Sequence, residues 1–139
     1  MSTVIDCSVA INWVMPDERN EGVDRLLDRV IEQGGAVPPL FRVEVGNALL
    51  TGLLRKRITP DFLGRAVGRL GELPLHADAR GADFVWTTCV DLATTYDLTL
   101  YDAVYLELAL RLRLPLATLD KKLAGAAENA GVALDWTEL

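Results

Sequence analysis

Apolar residues recur at helical spacing in two long stretches. Val23, Leu26, Leu27, Val30 and Ile31 mark a helix over 21–33, and Gly34-Gly35 closes it. Phe41, Val45, Ala48, Leu49, Gly52 and Leu53 form one stripe of a second helix over 41–57. Thr59-Pro60 starts another, with proline at its favoured first position, running to about residue 70. Helices are also expected over 7–15, 82–96, 101–113 and 121–129. Short apolar or β-branched runs lie between them. They predict strands over 3–5, 36–37, 115–118 and 132–134, and a weaker one over 73–76. This alternation is the pattern of an α/β domain: a short central parallel sheet between two helical layers, α/β/α. The 139 residues form a single domain on this reading, spanning 1–139. In such sheets chemistry gathers beyond the carboxyl ends of the strands.

Acidic residues occupy those ends. Asp6 follows the first strand, and Asp120 follows the strand over 115–118. Glu44 and Asp102 fall near the starts of two helices. None of Glu44, Asp102 and Asp120 has a basic residue three or four positions further along its helix. These three carboxylates, without local compensation and on faces that look apolar, are costly unless something neutralises them. A shared divalent cation does so, and hard oxygen ligands suit Mg²⁺ or Mn²⁺. Each acid also fits a plainer role. Asp6 or Ser8 caps the first helix, Thr99 and Asp102 form a capping box, Asp120 caps the helix over 121–129, and Glu44 favours the positive end of its own helix.

Composition narrows the function classes. Half the residues are hydrophobic, which excludes a disordered chain. No apolar run is long enough to span a membrane, and the N-terminus lacks the basic and apolar regions of a signal peptide, so a cytoplasmic location is the default expectation. The net charge of −6 argues against gripping nucleic acid by bulk electrostatics. It leaves room for an enzyme that meets RNA through bound cations, and for a basic protein partner. Cys7 and Cys89 read as small buried hydrophobes rather than a disulfide. No P-loop or dinucleotide-binding glycine pattern occurs.

The stretches Val4-Ile5-Asp6-Cys7-Ser8-Val9, Phe41-Arg42-Val43-Glu44-Val45-Gly46-Asn47-Ala48-Leu49, Leu98-Thr99-Leu100-Tyr101-Asp102-Ala103-Val104-Tyr105-Leu106 and Leu116-Ala117-Thr118-Leu119-Asp120 carry a family resemblance. In this order and spacing the chain resembles the PIN-domain ribonucleases, and within them the VapC-type toxins of toxin–antitoxin pairs. The resemblance implies a parallel sheet between helices and an acidic site of Asp6, Glu44, Asp102 and Asp120. It places Thr118 on the site rim and Asn47 one turn beyond the glutamate. It also implies a homodimer inhibited by an antitoxin. Cys7 stands where the family often has threonine, a mild departure.

The expected activity is metal-dependent hydrolysis of RNA phosphodiester bonds. Asp6 and Asp102 would hold the principal cation, Asp120 would complete its coordination, and Glu44 would bind a second cation or deprotonate water. Lys121 and Lys122 stand beside Asp120 as candidate phosphate contacts. Arg55, Lys56 and Arg57 are read as answering the negative end of a helix, and Arg111 and Arg113 as solvated. His76 is read as structural or surface, Trp13 and Trp86 as core or interface residues, and Trp136 has no assigned role. The readings from other classes are a noncatalytic RNA-binding or protein-interaction module on the same fold, and an RNA-processing nuclease that is not a toxin.

Overall fold

The computed structural model describes residues 2–15, 17 and 20–135. Four strands, β1 (Val4–Ile5), β2 (Gly35–Val37), β3 (Leu75–Ala77) and β4 (Leu116–Ala117), form one parallel sheet in the order β3-β2-β1-β4. Helices α1 (Cys7–Val14), α2 (Glu21–Gln33), α3 (Leu40–Leu54), α4 (Pro60–Gly71), α5 (Val90–Tyr96), α6 (Leu100–Leu112) and α7 (Lys121–Asn129) flank it. Strands β1, β2 and β4 are wholly buried, as their unbroken apolar character requires. Edge strand β3 is more open, and His76 lies exposed on it.

The strand order fixes where a site can form. From β1 the chain moves to β2 and β3 on one side, then crosses to β4 on the other. The direction of winding thus reverses between β1 and β4, which leaves a crevice at their carboxyl ends. Val4 pairs with Leu116 and Ile5 with Ala117, so Asp6 and Thr118 come next in register.

Local chemistry sets most helix ends. Asn20 accepts hydrogen bonds from the Gly22 and Val23 amides at the start of α2. Gly34 ends it at φ 77°, where a side chain would be strained, and a Cβ on Gly35 would meet Leu75 and Ile5 within about 3.1 Å. Thr59 caps α4 through the Phe62 amide at 3.1 Å. The Trp13 indole donates to the Val23 carbonyl at 2.9 Å and fastens α1 to α2.

Three expectations need correction. The helix expected over 82–96 divides into a 3-10 turn (Gly81–Phe84), a π turn (Val85–Cys89) and α5. The first of these turns is tighter than an α-helix and the second wider, and at their junction Phe84 lies under the guanidinium of Arg111, 4.7 Å from ring centre to Cζ. Helix α3 ends at Leu54 rather than residue 57, because Lys56 turns left-handed at φ 57°. The strand expected over 132–134 is reduced to a single bridge between Leu116 and Leu134.

Candidate active site

Asp6 stands where β1 becomes α1, only 5% exposed. The hydroxyls of Ser8 and Thr118 both donate to its Oδ2, each at 2.7 Å. Ser8 Oγ also accepts from the Leu119 amide at 2.9 Å, and Thr118 Oγ1 from the Asp120 amide at 3.0 Å. This lattice joins the ends of β1 and β4 and fixes the Asp6 carboxylate. It replaces the capping role considered for Asp6 and Ser8, since α1 receives no side-chain cap.

The other acids arrive on helices. Glu44 lies in the second turn of α3, and its Oε1 accepts from the hydroxyl of buried Tyr105 at 2.6 Å. Asp102 lies in the first turn of α6, where Thr99 accepts from the Asp102 amide at 3.2 Å. Asp120 caps α7, its Oδ1 accepting from the amides of Lys122 (2.9 Å) and Leu123 (3.1 Å). These capping bonds use only that oxygen, so capping does not exclude a second role for Asp120.

The four carboxylates act on one another. Burial raises the pKa of Asp6, against the Ser8 and Thr118 donors, and the charge of Asp120 raises it further. Burial raises Glu44, opposed by Tyr105, and Asp6 and Asp102 add repulsion. Burial lifts Asp102 to about 6, with repulsion from Asp120 and Asp6 against the weaker pull of Thr99 and Lys122. Burial, then Glu44 and Asp6, push the half-buried Cys7 thiol up to about 12, so it stays protonated beside the acids. These acids form one electrostatic unit, which the nearby Lys122 ammonium offsets only in part.

Among the described residues, no three His, Cys, Asp or Glu side chains are drawn together as a ready-made metal cage. The donor chemistry nevertheless fits a hard divalent cation. The groups are carboxylates, they repel one another, and their excess negative charge is largely uncompensated. Mg²⁺ commonly takes one or two carboxylates and keeps several waters, so it suits an open acidic cleft better than a closed cage.

The remaining candidates separate. Asn47 is exposed on α3, one turn beyond Glu44, and is not drawn into the hydrogen-bonded lattice. Lys121 and Lys122 are exposed at the start of α7, with Lys122 Nζ 3.3 Å from Asp97 Oδ2. Arg55, Lys56 and Arg57 lie beyond the far end of α3, about 16 Å along the helix from Glu44 at 1.5 Å per residue. Arg57 there faces Asp17 at 3.1 Å. Trp13 is buried, whereas Trp86 is 89% exposed and does not belong to the core; Trp136 lies outside the described residues. Arg111 is not a solvated residue: it bridges Glu107 (2.7 Å) and Asp78 (2.6 Å).

Sequence reasoning missed Tyr105 and the clamping role of Ser8. Their faint signals were a tyrosine three residues after Asp102, hence on the same helical face, and a serine two residues after Asp6.

The model of the PIN-domain family matches residues 3–129. Two solved structures share the fold. The crystal structure of PAE2754 from Pyrobaculum aerophilum superposes with a TM-score of 0.64 at 20% identity, covering 94% of this chain and 92% of that one. The crystal structure of FitAcB from Neisseria gonorrhoeae gives 0.67 at 19% identity, covering 95% of each chain. No curated protein matches the chain by sequence.

Proposed function

This chain belongs to the PIN-domain family, a family of nucleases, and we propose that it is a divalent-metal-dependent endoribonuclease serving as the toxin of a toxin–antitoxin pair. What supports this reading is that Asp6, held by the Ser8 and Thr118 hydroxyls where the sheet reverses direction, lies near enough to its fellow acids that Asp120 raises the pKa of Asp6 and Asp102, and Asp6 and Asp102 raise that of Glu44.

In this reading Asp6 and Asp102 hold the principal cation, Asp120 completes its surroundings, and Glu44 holds a second cation or takes a proton from the attacking water. A bound Mg²⁺ or Mn²⁺ would make water easier to deprotonate and screen the charge that builds on the phosphate. Ser8 and Thr118 keep Asp6 from turning away, and the α7 amides do the same for Asp120. Lys121 and Lys122, at the mouth of the site, attract the RNA backbone.

Purified protein incubated with structured RNA should release fragments with Mg²⁺ or Mn²⁺ and none with EDTA. Binding without cleavage under both conditions would favour the noncatalytic module. Replacing Lys121 and Lys122 by Ala should weaken RNA binding and lower the salt slope by about one for each phosphate that a lysine had neutralised. An unchanged slope in a filter-binding titration would remove these lysines from the interface.

Cation affinity should follow the protonation of the acids. Asp102 is held at about 6 against an ordinary 3.8. Its folded state therefore favours the proton, and the metal-free protein should lose stability as pH rises from about 4 to 6. A cation must displace that proton, so Mn²⁺ affinity should rise over the same window and level off above it. Calorimetric titrations at pH 5, 6 and 7 measure this; equal affinities at all three would overturn the linkage between cation binding and the raised Asp102 carboxyl.

The partner proposal has separate support. Val43, Leu50 and Leu54, the last 83% exposed, form an outward apolar stripe on α3. Such a stripe suits a second copy of the chain or a helix of the antitoxin, and the charge of −6 suits a basic antitoxin segment reaching the acids. Among the described residues no helix is long and apolar enough to cross a membrane, and the proposed setting is the cytoplasm, where RNA is at hand. Expression alone should arrest growth, and co-expression of the gene encoded beside it should relieve the arrest. Normal growth on expression of a cleavage-competent protein would favour a processing nuclease.

A further inference from the structure

Tyr105 is wholly buried, with its ring packed in the core and its hydroxyl donating to Glu44 Oε1 at 2.6 Å. Asp102 and Tyr105 are three residues apart on α6 and so share a face. One helix thus supplies an acid of the site and also grips the acid of α3, 61 residues away in sequence. A glutamate side chain has several rotatable bonds and loses entropy when a ligand orders it. A donor fixed by core packing removes that freedom before the ligand arrives.

We infer that Tyr105 is a positioning residue of the metal centre, whose hydroxyl anchors one carboxylate oxygen of Glu44 and holds that side chain in one orientation beside Asp6 and Asp102. The inference rests on Glu44 being a ligand in the proposed centre. It goes beyond the need of a buried tyrosine for some hydrogen-bond partner, because it assigns the bond a consequence for cation binding. Ser8 and Thr118 do the same for Asp6, so two of the four acids are held by hydroxyls that come from other positions in the chain.

The test is Mn²⁺ binding to the full chain, measured by calorimetry on wild type, Tyr105→Phe, Glu44→Gln and the double variant. Tyr105→Phe should bind Mn²⁺ about 10-fold more weakly, as expected for loss of a group that orients a ligand. The double variant should be no weaker than Glu44→Gln alone, because the hydroxyl acts only through that carboxylate. Wild-type affinity in Tyr105→Phe beside a weakened Glu44→Gln would overturn the inference and leave the metal site standing. Wild-type affinity in Glu44→Gln would remove Glu44 from the centre and the inference with it. Should Tyr105→Phe fail to fold, Glu44→Asp keeps the charge but withdraws it from the hydroxyl. Undiminished affinity there would equally overturn the inference. A 10-fold loss in Glu44→Asp would not separate the role of Tyr105 from that of Glu44, so Tyr105→Leu is measured beside it: a loss there that vanishes in the Glu44→Gln background supports the inference, and wild-type affinity overturns it.

Discussion

Asp6→Asn should lose RNA cleavage by about 10³-fold or more while remaining folded. The magnitude follows from removing several kcal/mol of cation-assisted charge stabilisation, at 1.36 kcal/mol per tenfold in rate. The fold should survive because the asparagine carbonyl can still accept from Ser8 and Thr118, the two donors that meet Asp6 Oδ2. The sign of the stability change is also fixed. Burial, with the charge of Asp120, raises the Asp6 pKa above 3.8, so ionising it costs folding free energy at neutral pH. Asparagine is neutral and escapes that cost. Metal-free Asp6→Asn should therefore melt no lower than wild type, while Mn²⁺ should stabilise wild type and not the variant. Scanning calorimetry with and without Mn²⁺, beside a gel cleavage assay, measures both halves. Wild-type cleavage in Asp6→Asn would take Asp6 out of the site.

The largest stability effect is expected far from that chemistry. Arg111→Ala should cost about 3 kcal/mol in urea unfolding, the lower end of the range for breaking a buried ion pair, since the Arg111 side chain is partly exposed. Its guanidinium contacts Asp78 through two nitrogens, at 3.1 and 2.6 Å, and Glu107 through Nε at 2.7 Å, while covering the face of Phe84. Truncation strands Glu107, which is only 3% exposed, beside Asp78 with no cation between them. It also removes one of the two guanidinium groups, those of Arg111 and Arg80, that lie over the Phe84 ring. Adding Glu107→Gln should recover part of the loss by removing the stranded charge. A drop below 1 kcal/mol in Arg111→Ala would mean that the cluster is no more than a surface ion pair.

Arg111 also marks how far a sequence can be read. Its pairing with Glu107 is an i,i+4 contact, visible in principle along one helix. Its second partner, Asp78, lies 33 residues away, and nothing local couples the two positions. The break at 81–89 is a second case: the apolar spacing suits one helix, yet the chain forms a 3-10 and then a π turn, with Phe84 at their junction packed under Arg111 from a distant helix. Trp86, read as a core or interface residue because it falls within that predicted helix, lies in the π turn and is exposed, which excludes the core. Asp6, Glu44, Asp102 and Asp120 were legible as acids at strand ends and helix starts, the last three with no basic residue three or four positions further along the helix. The hydroxyls that hold them were not, apart from Thr118 on the rim.

By itself the sequence determined the order of helices and strands, with α2 and α7 bounded as observed, and the parallel sheet that delivers acids to one edge. Helix and strand positions arise from apolar periodicity and end signals within a few turns, so neighbouring residues suffice to specify them; that the strands pair in parallel followed from their alternation with helices. Only the tertiary structure decided that Tyr105 meets Glu44, that Ser8 and Thr118 converge on one oxygen of Asp6, and that Arg111 joins the buried Glu107 to Asp78. Several of these contacts join residues 33 to 112 positions apart. Their partners are set by where the chain returns after each crossover, a property of the whole fold that no local pattern carries.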